Sequence, residues 1–456
     1  MTTRQLPNLQ LRALIREADW TGEELARAVN QLGAESGWPL RYRRASVHQW
    51  LAGTIPRPPA GALLCEALTR RLGRPIGLTD AGLATAGLAT GESAATTEST
   101  TGAAPPRADL LLTDLAGAAR YPTRHPALLP FESANLPQPL LPNGFAAPPP
   151  VQYEAATRRL TSRQTEAAGA LLPVFSAADR TYGGGHARVA LAGYLAHGLV
   201  PLLHLPGPPL LRLSLLSSTA QLAYLCAFMH VDDELNGLAQ RYWRAALELS
   251  RAAGDLPTQV LTLRALSIQA YELGHRDSAL ALAQGAAEAV SRCNSARLRA
   301  GVLGQLAVTE AGTGADTAAW RDLARAREQL TATSGPPPAI GDYHLASWDH
   351  QHAVVAGELG RPEVALNALR ASATRRPHTE ARSRLLMIGR LAELHLAAGQ
   401  LEQACTNWHD FLDSYPLLTS RRVESTRTRM VRLLMPHRRR PSAAQLIRRA
   451  AALHRT

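Results

Sequence analysis

Tyr271-Glu272-Leu273-Gly274-His275-Arg276-Asp277-Ser278-Ala279 decides the fold. An apolar-patterned segment ends at Leu273-Gly274, and a small alanine follows five residues past the glycine. The same frame returns at Gly314 with Ala319, at Gly360 with Ala365 (in Gly357-Glu358-Leu359-Gly360) and at Gly399 with Ala404. Glu234 and Ala239 fill it without a glycine, and the intervals are 40, 40, 46 and 39 residues. A glycine tolerates the left-handed turn that ends one helix. The alanine lets the next helix approach its partner closely. A helical hairpin cannot bury its apolar face alone, so neighbours must stack. The frame predicts tetratricopeptide-like hairpins, with a period longer than the usual ~34 residues. A generic helical bundle with coincidental Leu-Gly turns is the alternative.

Outward from this frame the chain divides into three. Residues 153–456 form the repeat body. Residues 83–152 are rich in Thr, Ala and Pro, end in Pro148-Pro149-Pro150 and read as a tether. Within it Leu110 to Ala119 has helical character, and Leu128-Leu129-Pro130-Phe131 is an apolar patch suited to docking on the body. Residues 1–82 form a compact basic head. Leu and Ala dominate, and strand-like runs are hard to find, so the expected class is all-α: a helix-turn-helix domain, a Pro-rich linker and an α-solenoid.

In the head, Leu11, Leu14, Ile15 and Ala18 share one helical face over Leu9 to Ala18. Thr21 and Glu24 form a capping box for a second helix, ended by Gly33, Gly37 and Pro39. A third helix, Arg44 to Ala52, turns Val47, Trp50 and Leu51 inward and Ala45, Ser46, His48, Gln49 and Ala52 outward. A fourth spans Ala60 to Leu72. The third helix is the expected DNA reader. Arg41, Tyr42, Arg43 and Arg44 precede or open it, Ser46, His48 and Gln49 face out, and Arg57 in Pro56-Arg57-Pro58-Pro59 is placed to clamp a phosphate. Arginine bonds guanine or phosphate, glutamine bonds adenine, and serine serves either. A small helical protein-binding domain fits the same pattern, and the long connection before the third helix departs from a simple helix-turn-helix.

All 49 basic residues are arginine, and the formal net charge is +12. Residues 1–77 carry 11 arginines and 6 acids, and residues 420–456 carry 11 arginines and 1 acid. Both ends are basic, which suits a polyanion or simply a solvated helix face. Cys65, Cys226, Cys293 and Cys405 form no paired motif, so neither disulfide nor zinc is expected. With no leader-like segment and no membrane-length apolar run, the expectation is a cytoplasmic protein without a membrane partner.

The segment from Leu40 to Pro59, LRYRRASVHQWLAGTIPRPP, resembles a signature of actinobacterial Xre-type helix-turn-helix regulators with tetratricopeptide-like bodies, and so does Glu66 to Pro75. Ala178 to Arg188, ADRTYGGGHAR, resembles the stretch with which their body begins. The resemblance implies a Streptomyces-type regulator of sporulation or antibiotic production, binding double-stranded DNA. It also implies that the long loop before the third helix belongs to the pattern. Arg43 stands where the pattern has an acid.

Other chemistry is sparse. Gly183-Gly184-Gly185-His186-Ala187-Arg188 offers a possible ligand or anion site at Gly184, His186 and Arg188, against the plainer reading of a structural turn. It lacks the Lys-Ser/Thr of a phosphate loop and the preceding strand of a nucleotide fold. His230-Val231-Asp232-Asp233-Glu234 and Trp348-Asp349-His350-Gln351-His352 lack zinc-helix spacing, so no metal is expected. No catalytic constellation or cofactor motif stands out, and an enzyme is not expected. The concave face of the repeats is a candidate surface for a peptide, protein or small-molecule effector, with Tyr224, Tyr271, Trp320, Tyr343 and Trp348 as lining or core. A homodimer on two half-sites is expected. A peptide-binding scaffold that does not touch DNA is the competing reading.

Overall fold

The structure is a computed structural model, and it describes residues 7–35, 40–74, 76–83, 108–120, 131–133, 136–137, 159–333 and 335–453. Among these residues every regular element is helical. In the head these are α1 (Leu9–Glu17), α2 (Gly22–Glu35), α3 (Arg44–Leu51) and α4 (Ala60–Leu72). Asn8 caps α1 by accepting from the Leu11 N–H at 2.9 Å, and its amide donates to Ala81 O at 2.8 Å, so the end of the domain closes onto its start. The Thr21–Glu24 capping box opens α2 as read, but α2 runs through a buried Gly33 to Glu35 instead of ending there. Leu11, Leu25, Val47, Trp50, Leu63 and Leu68 fill the core. Leu51 is only half-buried at its edge.

The linker is more than a tether. A helix α5 (Ala108–Arg120) packs on the body, with Leu112 and Leu115 buried and Asp109 3.1 Å from His204. Phe131 is also buried, against His275 at 5.0 Å between ring centroids. The Glu132 N–H donates to Gln240 and the Ser133 N–H to Glu66 of the head, so residues 131–133 form a strap between head and body. Leu128, Leu129 and Pro130 lie outside the described residues.

The body opens with α6 (Ser162–Tyr182), α7 (Gly184–Gly193), a π-helical turn at Tyr194–Leu199 and the short α8 (Val200–Leu203). Six hairpins follow: α9 (Pro209–Asp232) with α10 (Asn236–Ala253), α11 (Leu256–Glu272) with α12 (Arg276–Val290), α13 (Ala296–Gly312) with α14 (Asp316–Thr331), α15 (Leu345–Glu358) with α16 (Pro362–Arg375), α17 (Ala381–Ala397) with α18 (Leu401–Ser414), and α19 (Arg421–Leu434) with α20 (Pro441–Ala452). The frame read from the sequence sits at their turns. Gly274, Gly314, Gly360 and Gly399 all have positive φ, and Glu234 takes the same conformation at φ 58. At each, the following N–H reaches back to a carbonyl five residues earlier, as His275 does to Ala270 at 2.8 Å and Leu235 to His230 at 2.8 Å. Ala239, Ala279, Ala319, Ala365 and Ala404 are buried between paired helices. The 46-residue interval holds an extra loop, and its Ala339 carbonyl accepts from Ser176 on α6.

Helix α9 is long and apolar enough to cross a membrane, where the sequence reads as having no apolar run of that length. Half of its apolar window is buried between α6, α7 and α10, which places it as a core helix of the body.

Candidate functional site

The last hairpins return to the first helices. Arg382 of α17 makes a bidentate pair with Asp179 of α6 at 2.6 and 2.9 Å and lies 3.5 Å from Asp232. The Thr419 N–H donates to Tyr182 O at 2.7 Å, and Ser420 Oγ donates to Asp232 at 2.7 Å. The solenoid thus closes into a ring. At its centre is a cavity of about 880 Å³, near the top of the range of ~300–1,000 Å³ for ligand pockets. Its wall comes from the first helices of the hairpins, α9, α11, α13, α15, α17 and α19, from α6, and from the extra loop at Ala339 to Asp342.

The wall is amphipathic. Phe228, Ile268, Val308, Val354, Leu386 and Met387 supply apolar surface, while eight arginines and seven acids surround them. Most charges are matched: Arg276 with Glu358, Arg376 with Glu380, Arg422 with Glu272, and Arg429 with Glu393. Burial pushes the Glu234 carboxyl up, and its partner is Ser425 at 2.9 Å. Of the aromatics read as lining or core, Tyr224 and Tyr271 line the cavity. Tyr343 is buried with its hydroxyl donating to Gln351, Trp348 donates to Leu323 O at 2.9 Å, and Trp320 packs against His352.

The glycine turn, read as either an anion site or a structural turn, is filled by the protein's own carboxylates. Gly184, His186 and Arg188 stood as a possible anion site. The Gly184 N–H is taken by Asp232 at 2.8 Å and the Arg188 guanidinium by Asp233 at 2.7 Å, so carboxylates occupy the place of an anion. His186 stacks on Tyr182. A Cβ on Gly183 would stand 2.5 Å from Thr419 O, and one on Gly184 2.7 Å from Met229 O. Glycine is needed at 183 because the Thr419 backbone meets it at ring closure, and at 184 because the α9 backbone does. Asp232 caps α7 by accepting from the Gly184 N–H of its first turn.

One group has the spacing of a cation site that the sequence did not signal: Asp342, His344 and Glu380, whose ligand atoms lie within 4.8 Å of one another. Arg297 already holds Asp342 at 2.8 Å, and Arg376 holds Glu380 at 2.7 Å, so guanidiniums supply the compensating charge. Among the four cysteines, each buried and free, Cys65 is pushed up to about 12 by burial.

In the head, Arg41, Arg43, Arg44, His48, Gln49 and Arg57 are exposed. None of these arginines makes an ion pair among the described residues. Tyr42 serves the core instead: its ring meets Trp50 edge-on at 5.0 Å, and its backbone is held by both amide atoms of Asn30. Ser46 is half-buried, and its hydroxyl accepts from the Arg43 N–H at 3.4 Å, which starts the helix. The outward set is therefore narrower than the sequence suggested.

Comparison with known proteins gives likenesses to a family model and to solved structures. A family model described as the SP15 N-terminal domain matches residues 11–84, which is the head. Among curated proteins none matches the chain. A solved structure titled as a Rap protein complexed with competence and sporulation factor is similar at 12% identity and a TM-score of 0.42, covering 63% of this chain and 86% of that one.

Proposed function

We propose that this chain is a ligand-responsive regulator whose repeat body receives a short peptide, or a peptide-like segment of a partner, in the central cavity, and whose head contacts duplex DNA. The cavity carries the first part: an amphipathic chamber of about 880 Å³ walled by the first helix of every hairpin. A concave repeat face is suited to extended ligands. Panning a random octapeptide library on the full chain tests it. Selected peptides should bind wild type and lose binding to a cavity-filled Val354→Trp/Leu386→Trp variant. Equal binding to both proteins would place the peptide elsewhere and defeat this reading.

The exposed arginines around α3, with His48 and Gln49, support the second part. So does the resemblance of residues 40–59 and 66–75 to Xre-type regulators of development and antibiotic production. In that reading Arg43, Arg44 and Gln49 meet a major groove, Arg57 a phosphate, and the protein works in the cytoplasm as a pair of copies on two half-sites. Duplex DNA selected from a random pool should bind the full chain in a salt-sensitive way. An Arg43, Arg44, Gln49→Ala variant should lose that binding and lower the salt slope by about one per phosphate contact removed. Unchanged binding by the variant would reject α3 as the reader.

A further inference from the structure

We infer that the cavity selects an anionic ligand: a peptide carrying carboxylates beside apolar side chains. This rests on the cavity being a ligand site, and the argument comes from which of its charges are unmatched. Six of the eight lining arginines pair with lining acids. Among the described residues, Arg180 and Arg264 do not, and Arg390 is the most loosely held of the six. Arg180 reaches only the Ser176 carbonyl, at 3.4 Å. Arg264 donates its Nε–H to the Gly301 carbonyl at 2.8 Å and lies over the Tyr343 ring, leaving its terminal N–H groups without a partner among the described residues. Arg390, its side chain 64% exposed, is held only by a long ion pair to one oxygen of Glu393 at 3.7 Å, while Arg429 takes the other oxygen at 2.7 Å.

A neutral acceptor or donor stands in the same wall. His350 Nδ1 is buried without a hydrogen-bond partner. Burial, with smaller contributions from Arg376, Arg390 and Arg422, holds this imidazole neutral; Arg376 and Arg422 are already paired with Glu380 and Glu272. Guanidinium groups with spare N–H donors in a partly desolvated chamber bind carboxylates strongly, often through two parallel bonds. The adjoining Val354, Leu386 and Met387 surface gives apolar side chains a place beside them. A cationic ligand meets uncompensated like charge, and a purely apolar one leaves the guanidiniums unserved.

The test uses the full chain and its octapeptide selection. Because the whole protein is basic, enrichment of acids by itself decides nothing. The deciding comparison is wild type against Arg264→Met/Arg390→Met, measured by fluorescence anisotropy with a selected peptide and with its Glu/Asp→Gln/Asn counterpart. Wild type should bind the acidic peptide at least tenfold tighter than the amide peptide, and the variant should lose that preference while still binding the amide peptide. Arg390→Lys should restore part of it. Equal affinity of wild type for both peptides, or a preference that survives the double variant, overturns the anionic assignment and leaves the cavity as a site. Failure of any peptide to bind through the cavity overturns both. Circular dichroism spectra that coincide exclude misfolding as the cause.

Discussion

Arg382→Met should open the ring at a measurable cost. The guanidinium is largely buried and faces two carboxylates whose side chains are 5% and 2% exposed, Asp179 and Asp232. Asp232 keeps the Gly184 N–H and the Ser420 hydroxyl when the arginine is removed. Asp179 has no other side-chain contact comparable to the bidentate pair, so its charge is left buried. Breaking a buried pair from one side costs about 3–5 kcal/mol, mostly through the charge left behind. With a urea slope of about 3 kcal/mol/M, that is a midpoint shift of roughly 1–1.7 M. Tryptophan fluorescence can follow it, since Trp243, Trp320, Trp348 and Trp408 all belong to the body. One control separates charge from packing: adding Asp179→Asn should recover most of the loss. A loss below about 1 kcal/mol, with no recovery from Asp179→Asn, would refute the reasoning: packing alone would be holding the ring.

Acid should destabilise the body through its buried histidines. Burial holds His230 near 3, His350 near 3 and His275 near 4, so each is neutral in the fold and protonates on unfolding. Stability is lost as pH falls from about 6.5 toward those values, by about 2 kcal/mol at pH 5 for the fully buried His230. In His230→Gln the difference between pH 7 and pH 5 stability should shrink by that amount. Phe131→Ala should release the strap. It removes a ring 2% exposed, at about 3–5 kcal/mol, and hydrogen exchange at the Glu132 and Ser133 amides should accelerate by more than a hundredfold. Gly184→Ala should cost more than the ~1 kcal/mol of an ordinary glycine effect in urea unfolding, because its Cβ would stand 2.7 Å from Met229 O and 2.9 Å from the Asp232 Cβ where α7 packs on α9.

Local features were legible because they depend on local physics. The Leu-Gly frame marks where φ turns positive and where an alanine must be small, and it located even the glycine-free turn at Glu234. The head helices followed from capping and apolar spacing, with α4 placed residue for residue. What could not be read is what depends on distant partners. Arg382 and Asp179 are 203 residues apart, and neither has a local signature. The Gly183–Gly185 run signals close approach equally well for an anion or for another backbone, and only Thr419 decides which. The patch ending at Phe131 reads as suited to docking on the body, but its partners His275 and Gln240 come from distant helices and carry no signal of it. The cavity arginines were hidden by abundance, since every basic residue in the chain is arginine. Which of them lack a close carboxylate is a property of the closed ring.

Photo-crosslinking tests the central claim most directly. A benzophenone amino acid is placed at Phe228 or Met387, which line the cavity, or at Leu210, which is 80% exposed on the first turn of α9. Each protein is irradiated with a selected octapeptide. The account predicts covalent adducts from Phe228 and Met387 and none from Leu210. An adduct at Leu210 alone, or binding with no adduct at either cavity position, would contradict it.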